Sequence, residues 1–288
     1  MNPWNALLRP GHVVVAPGIY DALTARLAKR HGFEAGLIGG YELGAIAGVS
    51  EPLLSETEVL QSCYQIKRSI DFPLLIDVGA GFGEPLHVIR LVKDLKLLGV
   101  EAMQIEDQIF PKRAHYFRDY KEHIVSVQEM ADKLRWAKKT AGEDVFILAR
   151  TDAYVTNDEG EAIRRCRAYL DAGADAVVAF PFTLEEARGL PEKVGGPVFY
   201  TNTRGNRVGR PVLTPRQALE FGYAALGDGH ALFLPAFAAM EATLAQYTVE
   251  GGFPAHDDQI TVRKHVETTI GVEELWQVEN DTVEKGIS

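Results

Sequence analysis

An α/β fold, a single (β/α)8 TIM barrel with a C-terminal helical extension, is what this sequence predicts, and three observations carry the prediction. Short apolar runs alternate with helix-period segments through most of the chain. The apolar runs lack clean apolar/polar alternation, as strands buried on both faces of a parallel sheet require. Most helical segments close with Gly, and the next apolar run starts within a few residues. Eight strand-helix units follow one another, which favours a closed barrel over a doubly wound open sheet. A chain of 288 residues with 46% hydrophobic content suffices for one such barrel and an extension.

Taken in order, HVVVAP precedes DALTARLAKRHG, EAGLIGG precedes SETEVLQSCYQIKRSI, and PLLIDVG precedes LHVIRLVKDLKLLG. EAMQIED then leads to VQEMADKLRWAKKTAG, VFILARTDA to EGEAIRRCRAYLDAG, and ADAVVAF to TLEEARGLPEKVG. PVFYTNT with TPRQALEFG and YAALGDG with LPAFAAMEATLAQY complete the series. The barrel is expected over residues 1–250, its regular pattern ending near Tyr247. GGFPAHDDQ reads as a hinge that opens a 251–288 extension with some amphipathic helical character. That extension either stands solvated or packs as a helix on a partner subunit.

A net charge of −10 without any Lys/Arg block argues against nucleic acid or an anionic membrane as partner, because phosphate binding needs a basic footprint. A small anionic carboxylate remains open as substrate, since a metal can supply local positive charge. Cys63 and Cys166 fall in helical segments without metal-ligand spacing and read as buried structural thiols. The opening MNPWNALLRPGH lacks a signal-like apolar region, and no apolar run approaches the roughly 20 residues of a membrane span, so a cytoplasmic protein is expected.

In such a barrel the catalytic groups stand at the C-terminal ends of strands. Those ends carry Asp77, then Glu106 and Asp107, Arg150 and Asp152, Asn202 and Arg204, and finally Asp228 and His230. Asp77 and Glu106 end neighbouring strands, so their carboxylates repel unless a cation lies between them. One or two carboxylates plus water suit Mg2+, with Mn2+ as the alternative; pairing with a nearby Lys or Arg is the competing reading. Arg150 presents a planar fork that suits a carboxylate, or an internal pair with Asp152 or Glu106. His230, between Gly229 and Ala231, could polarise a carbonyl or carry a proton, or serve the structure alone. PGIYDA and LIGGYELGA supply Gly-rich turns with backbone N–H groups, and GAGFGE lacks the Lys-Ser/Thr of a nucleotide cradle. The basic, aromatic FPKRAHYFRDYKEH, with Lys112, Arg113 and His115, has the character of a lid over an anion. Phe180, Phe182 and Phe199 either contact an apolar part of the substrate or pack between barrel and helices.

PGIYDALTARLAKRHGFEA, IGGYELGA, PLLIDVGAGFG, IEDQIFPKR, ILARTDA and DAGADAV, taken together, resemble the isocitrate lyase/phosphoenolpyruvate mutase superfamily over about residues 13–247. The resemblance implies a Mg2+-dependent barrel that stabilises a pyruvate-like enolate, assembled as a dimer or tetramer with a C-terminal helix exchanged between subunits. It assigns the principal metal ligand to Asp77, the metal-shell Glu to Glu106, and approximately Glu51 to the acid after the second strand. Arg150 falls on the substrate-carboxylate Arg, Gly39 and Gly40 on the backbone site with Tyr41 adjacent, and Asn202 on a pocket Asn.

Departures from the family pattern bear on substrate. Methylisocitrate and dimethylmalate lyases carry K-R-C-G-H in the lid, where this chain has Lys112, Arg113, Ala114 and His115. Their Glu after the sixth strand is absent from AFPF, and Gly79 stands where the family has a second acid. The GHA setting of His230 resembles the oxaloacetate decarboxylase branch. A Mg2+-dependent lyase or decarboxylase of an oxaloacetate-like 2-oxo acid is therefore expected, with His230, Tyr41 and His115 as candidate proton donors. The alternatives are a C–C lyase of a 2-hydroxy dicarboxylate, a P–C bond enzyme acting on phosphonopyruvate or a related compound, and a non-catalytic binding protein.

Overall fold

The structure, a computed structural model, describes residues 1–113, 123–156, 158–206, 208–253 and 258–285. Its first half contains α1 (Pro3–Leu7), β1 (Val14–Pro17), α2 (Ala22–Arg30), β2 (Gly36–Ile38), α3 (Gly40–Ile46), α4 (Glu56–Lys67), β3 (Leu74–Asp77), α5 (Pro85–Leu98) and β4 (Ala102–Glu106). The second half contains α6 (Val127–Ala141), β5 (Phe146–Thr151), α7 (Ala153–Thr156), α8 (Glu159–Asp171), β6 (Ala176–Ala179), α9 (Leu184–Val194), β7 (Val198–Asn202), α10 (Pro215–Phe221) and β8 (Ala225–Asp228). Helices α11 (His230–Glu250), α12 (Gln259–Ile270) and α13 (Val272–Asp281) follow.

Local chemistry explains many of these boundaries. Asp21 with Thr24, Ser55 with Glu58, Ser126 with Glu129, Thr183 with Glu186 and Thr214 with Gln217 each form a reciprocal box that satisfies orphan N–H groups at a helix start. Left-handed Gly99, Gly195 and Gly222 end α5, α9 and α10, as the Gly stops in the sequence predict.

Eight parallel strands run in the order β1-β8-β7-β6-β5-β4-β3-β2. The ring closes where Gly18 bridges to Leu37 and the Ile19 N–H donates to the Leu37 carbonyl at 2.8 Å. The predicted α/β TIM barrel is thus the fold.

Strand parity divides the core in two. Val14, Leu75, Ala102, Phe146, Leu148, Val178, Phe199 and Ala225 fill the barrel interior, whereas Ile76, Met103, Ile105, Ile147, Val177, Tyr200 and Leu226 pack outward on the helices. Trp4 closes the floor, 5.8 Å from the Phe199 ring and 6.3 Å from Phe146. Phe199 therefore does not reach the mouth; its strand position, second in β7, places it at the floor. Among the described residues no helix is long and apolar enough to cross a membrane.

Candidate active site

Inward parity at the C-terminal ends of β3, β4 and β5 brings Asp77, Gln104, Glu106 and Arg150 together. Asp77 Oδ1 accepts the Gly79 N–H and Oδ2 accepts Gln104 Nε2, both at 2.9 Å. Glu106 is fully buried, with Oε1 3.0 Å from Lys112 Nζ and Oε2 3.0 Å from Arg150 Nη1. Neither contact has hydrogen-bonding geometry, so both oxygens retain lone pairs. Lys112 also pairs with Glu51. Arg150 forks onto Asp152 through Nε and Nη2 at 3.1 and 3.0 Å, and its Nη1 lies 3.6 Å from Asp77. The internal-pair reading of Arg150 is what its side chain makes here.

Four carboxylates, Glu51, Asp77, Glu106 and Asp152, meet here with Lys112 and Arg150 in direct contact, and Arg210 acts on Asp152 from farther off. Burial pushes Asp77 and Glu106 above the ordinary carboxyl range even with Arg150 beside them. Burial acts on Asp152 too, but Arg150, a 2.7 Å hydrogen bond from Gln108 Nε2, and Lys112 together hold it below that range. Lys112 is desolvated as well, yet Glu106 and Glu51 outweigh the desolvation and keep its ammonium more firmly charged than usual.

A cavity of about 40 Å³ opens between Gly40, Glu51, Asp77, Gly79, Phe110 and Lys112, room for an ion with a few waters. No group of three or more His, Cys, Asp or Glu is gathered as a metal-ligand set among the described residues. Asp77 and the open lone pairs of Glu106 offer carboxylate oxygens of the hard kind that Mg2+ takes one or two of while keeping several waters. Gly79 stands where the family has a second acid. It is left-handed at φ +53°, and a Cβ there would stand 3.8 Å from Glu106 Oε1.

The neighbouring acids have other tasks. Asp107 has outward parity and accepts from Thr151 Oγ1, Tyr169 Oη and Arg165 Nη1 at 2.7–3.0 Å, tying β4 to β5 and α8. Asn202 likewise turns outward. Its Nδ2 donates to the Leu213 carbonyl and to Asp228, and its Oδ1 accepts the Leu213 N–H, so the amide holds the loop after β7 instead of lining the inner wall. Phe180 lies beneath two guanidinium groups, 4.6 Å from Arg150 and 4.9 Å from Arg210. The ring is buried, and its surroundings at the inner wall are cationic.

Gly39 and Gly40 are small for a reason separate from their N–H groups. A Cβ on Gly39 would meet Glu42 Oε2 at 2.3 Å, and one on Gly40 would meet the Glu51 side chain at 2.7 Å. Glu42 is buried and pairs with His230 Nδ1; Tyr41 packs edge-on against the same imidazole at 4.9 Å. Glu42, Gln104 and Gln108 escaped the sequence reading. Glu42 sits in what reads as a Gly turn, and the two glutamines carry no charge to mark them. His115 and Ala114 lie outside the described residues.

The phosphoenolpyruvate phosphomutase family model matches residues 4–248. This chain belongs to the phosphoenolpyruvate mutase/isocitrate lyase superfamily. It is 32% identical over 247 residues to a 2-methylisocitrate lyase of Aeropyrum pernix, covering 85% of this chain and 79% of the relative. It is 34% identical to a 2,3-dimethylmalate lyase of Eubacterium barkeri, covering 75% of each. Among solved structures, oxaloacetate acetylhydrolase in complex with 3,3-difluorooxalacetate superposes with a TM-score of 0.88 at 26% identity, over 99% of this chain and 100% of that one. Phosphonopyruvate hydrolase complexed with oxalate and Mg2+ gives 0.82 at 26% identity, over 98% and 100%. The superfamily's members are lyases and mutases of C–C or P–C bonds, and the finer assignment rests on the site.

Proposed function

We propose that this protein is a Mg2+- or Mn2+-dependent carbon–carbon lyase that cleaves a bond at C3 of an oxaloacetate-like 2-oxo acid through a pyruvate-type enolate. The observation that carries the reading is the inward cluster of Asp77, Gln104, Glu106 and Arg150, two carboxylates brought together at the barrel mouth beside one guanidinium. Bound at Asp77 and Glu106, the ion would act as a Lewis acid. Arg150 would exchange part of its Asp152 and Glu106 contacts for the substrate carboxylate, a trade its planar fork favours. Gly39 and Gly40 would offer backbone N–H groups to the developing oxyanion. His230 is the leading proton donor to C3, with Tyr41 and His115 as further candidates, while Asn202 would steady the β7 loop at the rim. The catalytic unit is residues 1–250, and the 251–288 extension would exchange with a partner subunit in a dimer or tetramer.

A second reading, cleavage of a 2-hydroxy dicarboxylate, is favoured by the two lyases matched at 32% and 34% identity. Incubating purified protein with Mg2+ or Mn2+ and oxaloacetate, methylated malates, methylisocitrate or phosphonopyruvate, with mass-spectrometric detection of products, separates these readings. Pyruvate from oxaloacetate, abolished by EDTA and by Asp77→Ala, is the expected result. Preferential cleavage of a hydroxy diacid would move the assignment to the second reading, and phosphate release from phosphonopyruvate to P–C chemistry. Tight binding without turnover would identify a binding protein.

A further inference from the structure

We propose that Glu42 is the positioning residue of His230: its buried carboxylate fixes the imidazole with the proton on Nδ1 and leaves Nε2 as the nitrogen that exchanges a proton with substrate. The role rests on the reading of His230 as proton donor, but the contact itself does not.

Two close approaches and one ordinary contact build the pair from residues 188 positions apart. In the closed barrel β1 lies between β8 and β2. At its end a Cβ on Gly18 would stand 1.7 Å from the Gly229 carbonyl oxygen, so the turn after β8 presses directly on the β1 end. Gly39, the residue before α3, leaves the space that Glu42 Oε2 occupies, and a Cβ on Gly229 would come within 3.7 Å of Oε1. The carboxylate, 1% exposed, therefore sits in a slot between two glycines and meets His230 Nδ1 through Oε1. Among the described residues no Lys or Arg pairs with Glu42. A charge is costly to bury, and this one is committed to a single ring nitrogen.

That commitment decides the tautomer, because the partner of one imidazole nitrogen determines what the other presents. With Nδ1–H donated to Glu42, the protonated ring presents Nε2–H and the neutral ring presents an Nε2 lone pair. In a decarboxylation, the C3–carboxylate bond breaks, CO2 leaves, and the electron pair passes into the enolate. Nε2–H then delivers its proton to C3, and the ring, still holding Nδ1–H, takes another from solvent. The His230 side chain is 23% exposed, which allows that resupply. Tyr41, packed edge-on against the ring at 4.9 Å, limits its rotation.

Long-range 1H–15N correlation spectra of the uniformly labelled full-length protein at alkaline pH read the tautomer without substrate. The expected pattern is Nδ1–H with an unprotonated Nε2 in the wild type. Glu42→Gln, which keeps an acceptor oxygen, should retain it, and Glu42→Leu should lose it. Kinetically, Glu42→Leu should lower kcat by about 100-fold with KM within twofold, in the range expected for a lost general acid. It should cost nothing further in a His230→Asn background, and Glu42→Gln should recover part of the loss. An unchanged tautomer in Glu42→Leu, or a changed tautomer with unchanged kcat, overturns the proposal. Absence of turnover by the wild type on the 2-oxo acids defeats the catalytic reading instead, and the spectra still judge the contact.

Discussion

Lys112 is the residue that supplies positive charge between two carboxylates of the site. Its ammonium lies between Glu51 and Glu106 and occupies the side of the cavity that a divalent ion would share. Lys112→Met should therefore tighten Mg2+ binding in calorimetry while destabilising EDTA-treated protein by about 3 kcal/mol, because Glu51 loses its cation and buried Glu106 keeps only Arg150. Weaker Mg2+ binding in that variant would mean that Lys112 supports the ion instead of competing with it. Gln104→Met acts oppositely: Asp77 Oδ2 loses its 2.9 Å hydrogen bond, and Mg2+ affinity should fall about 10- to 100-fold. Cys63 and Cys166 give a pH test. Burial pushes both thiols up to about 12, so they stay protonated in the fold where unfolded thiols ionise near about 8.5. The native state then binds more protons, and stability should fall as pH rises from about 8.5 towards 12, by up to about 1.4 kcal/mol per unit and per thiol. Urea titrations of wild type and of Cys63→Ala/Cys166→Ala measure that difference; equal slopes would contradict it.

Among elements, α8 is joined to the strands by one buried network, Arg165 and Tyr169 on Asp107, with Thr151 completing it. Arg165→Met should cost about 3–5 kcal/mol in chemical denaturation, since Asp107 would remain buried without its cation. A loss below 1 kcal/mol would show that Tyr169 and Thr151 suffice. The same network explains what could be read beforehand. IEDQ places two acids side by side, but both faces of a parallel strand are apolar, so nothing in the sequence tells which acid turns inward. Parity answers this in the fold: Glu106 points to the mouth, Asp107 to α8, and Asn202, also of outward parity, to its own loop. The succession of strand-helix units and the Gly stops were legible because each leaves a local pattern in the chain. Helix α3 was not, because GGYELG reads as a turn. Its glycines serve two carboxylates, buried Glu42 and half-buried Glu51, whose positions depend on β8 and on Lys112 far along the chain.

At the scale of the molecule, the C-terminal helices leave more apolar surface than one chain covers. Phe237, Met240 and Leu244 on α11, Ile260 and Val262 on α12, and Leu275 and Trp276 on α13 are all exposed, although Arg26 and Arg30 of α2 donate to Thr269 and His265 and so tie α12 to the barrel. Exposed apolar residues spread over three successive helices are the mark of an interaction surface. A second copy of the chain can bury them by receiving these helices, as the proposed exchange requires. Light scattering coupled to size exclusion should give a mass that is a multiple of the monomer. Phe237→Lys with Leu244→Lys should shift that mass towards the monomer and lower the melting temperature, because burying the helices contributes to stability only when a partner is present. A wild-type monomer at micromolar concentration would remove the exchange from the proposal, leaving the active site, whose named residues all precede Phe237, to be judged on its own.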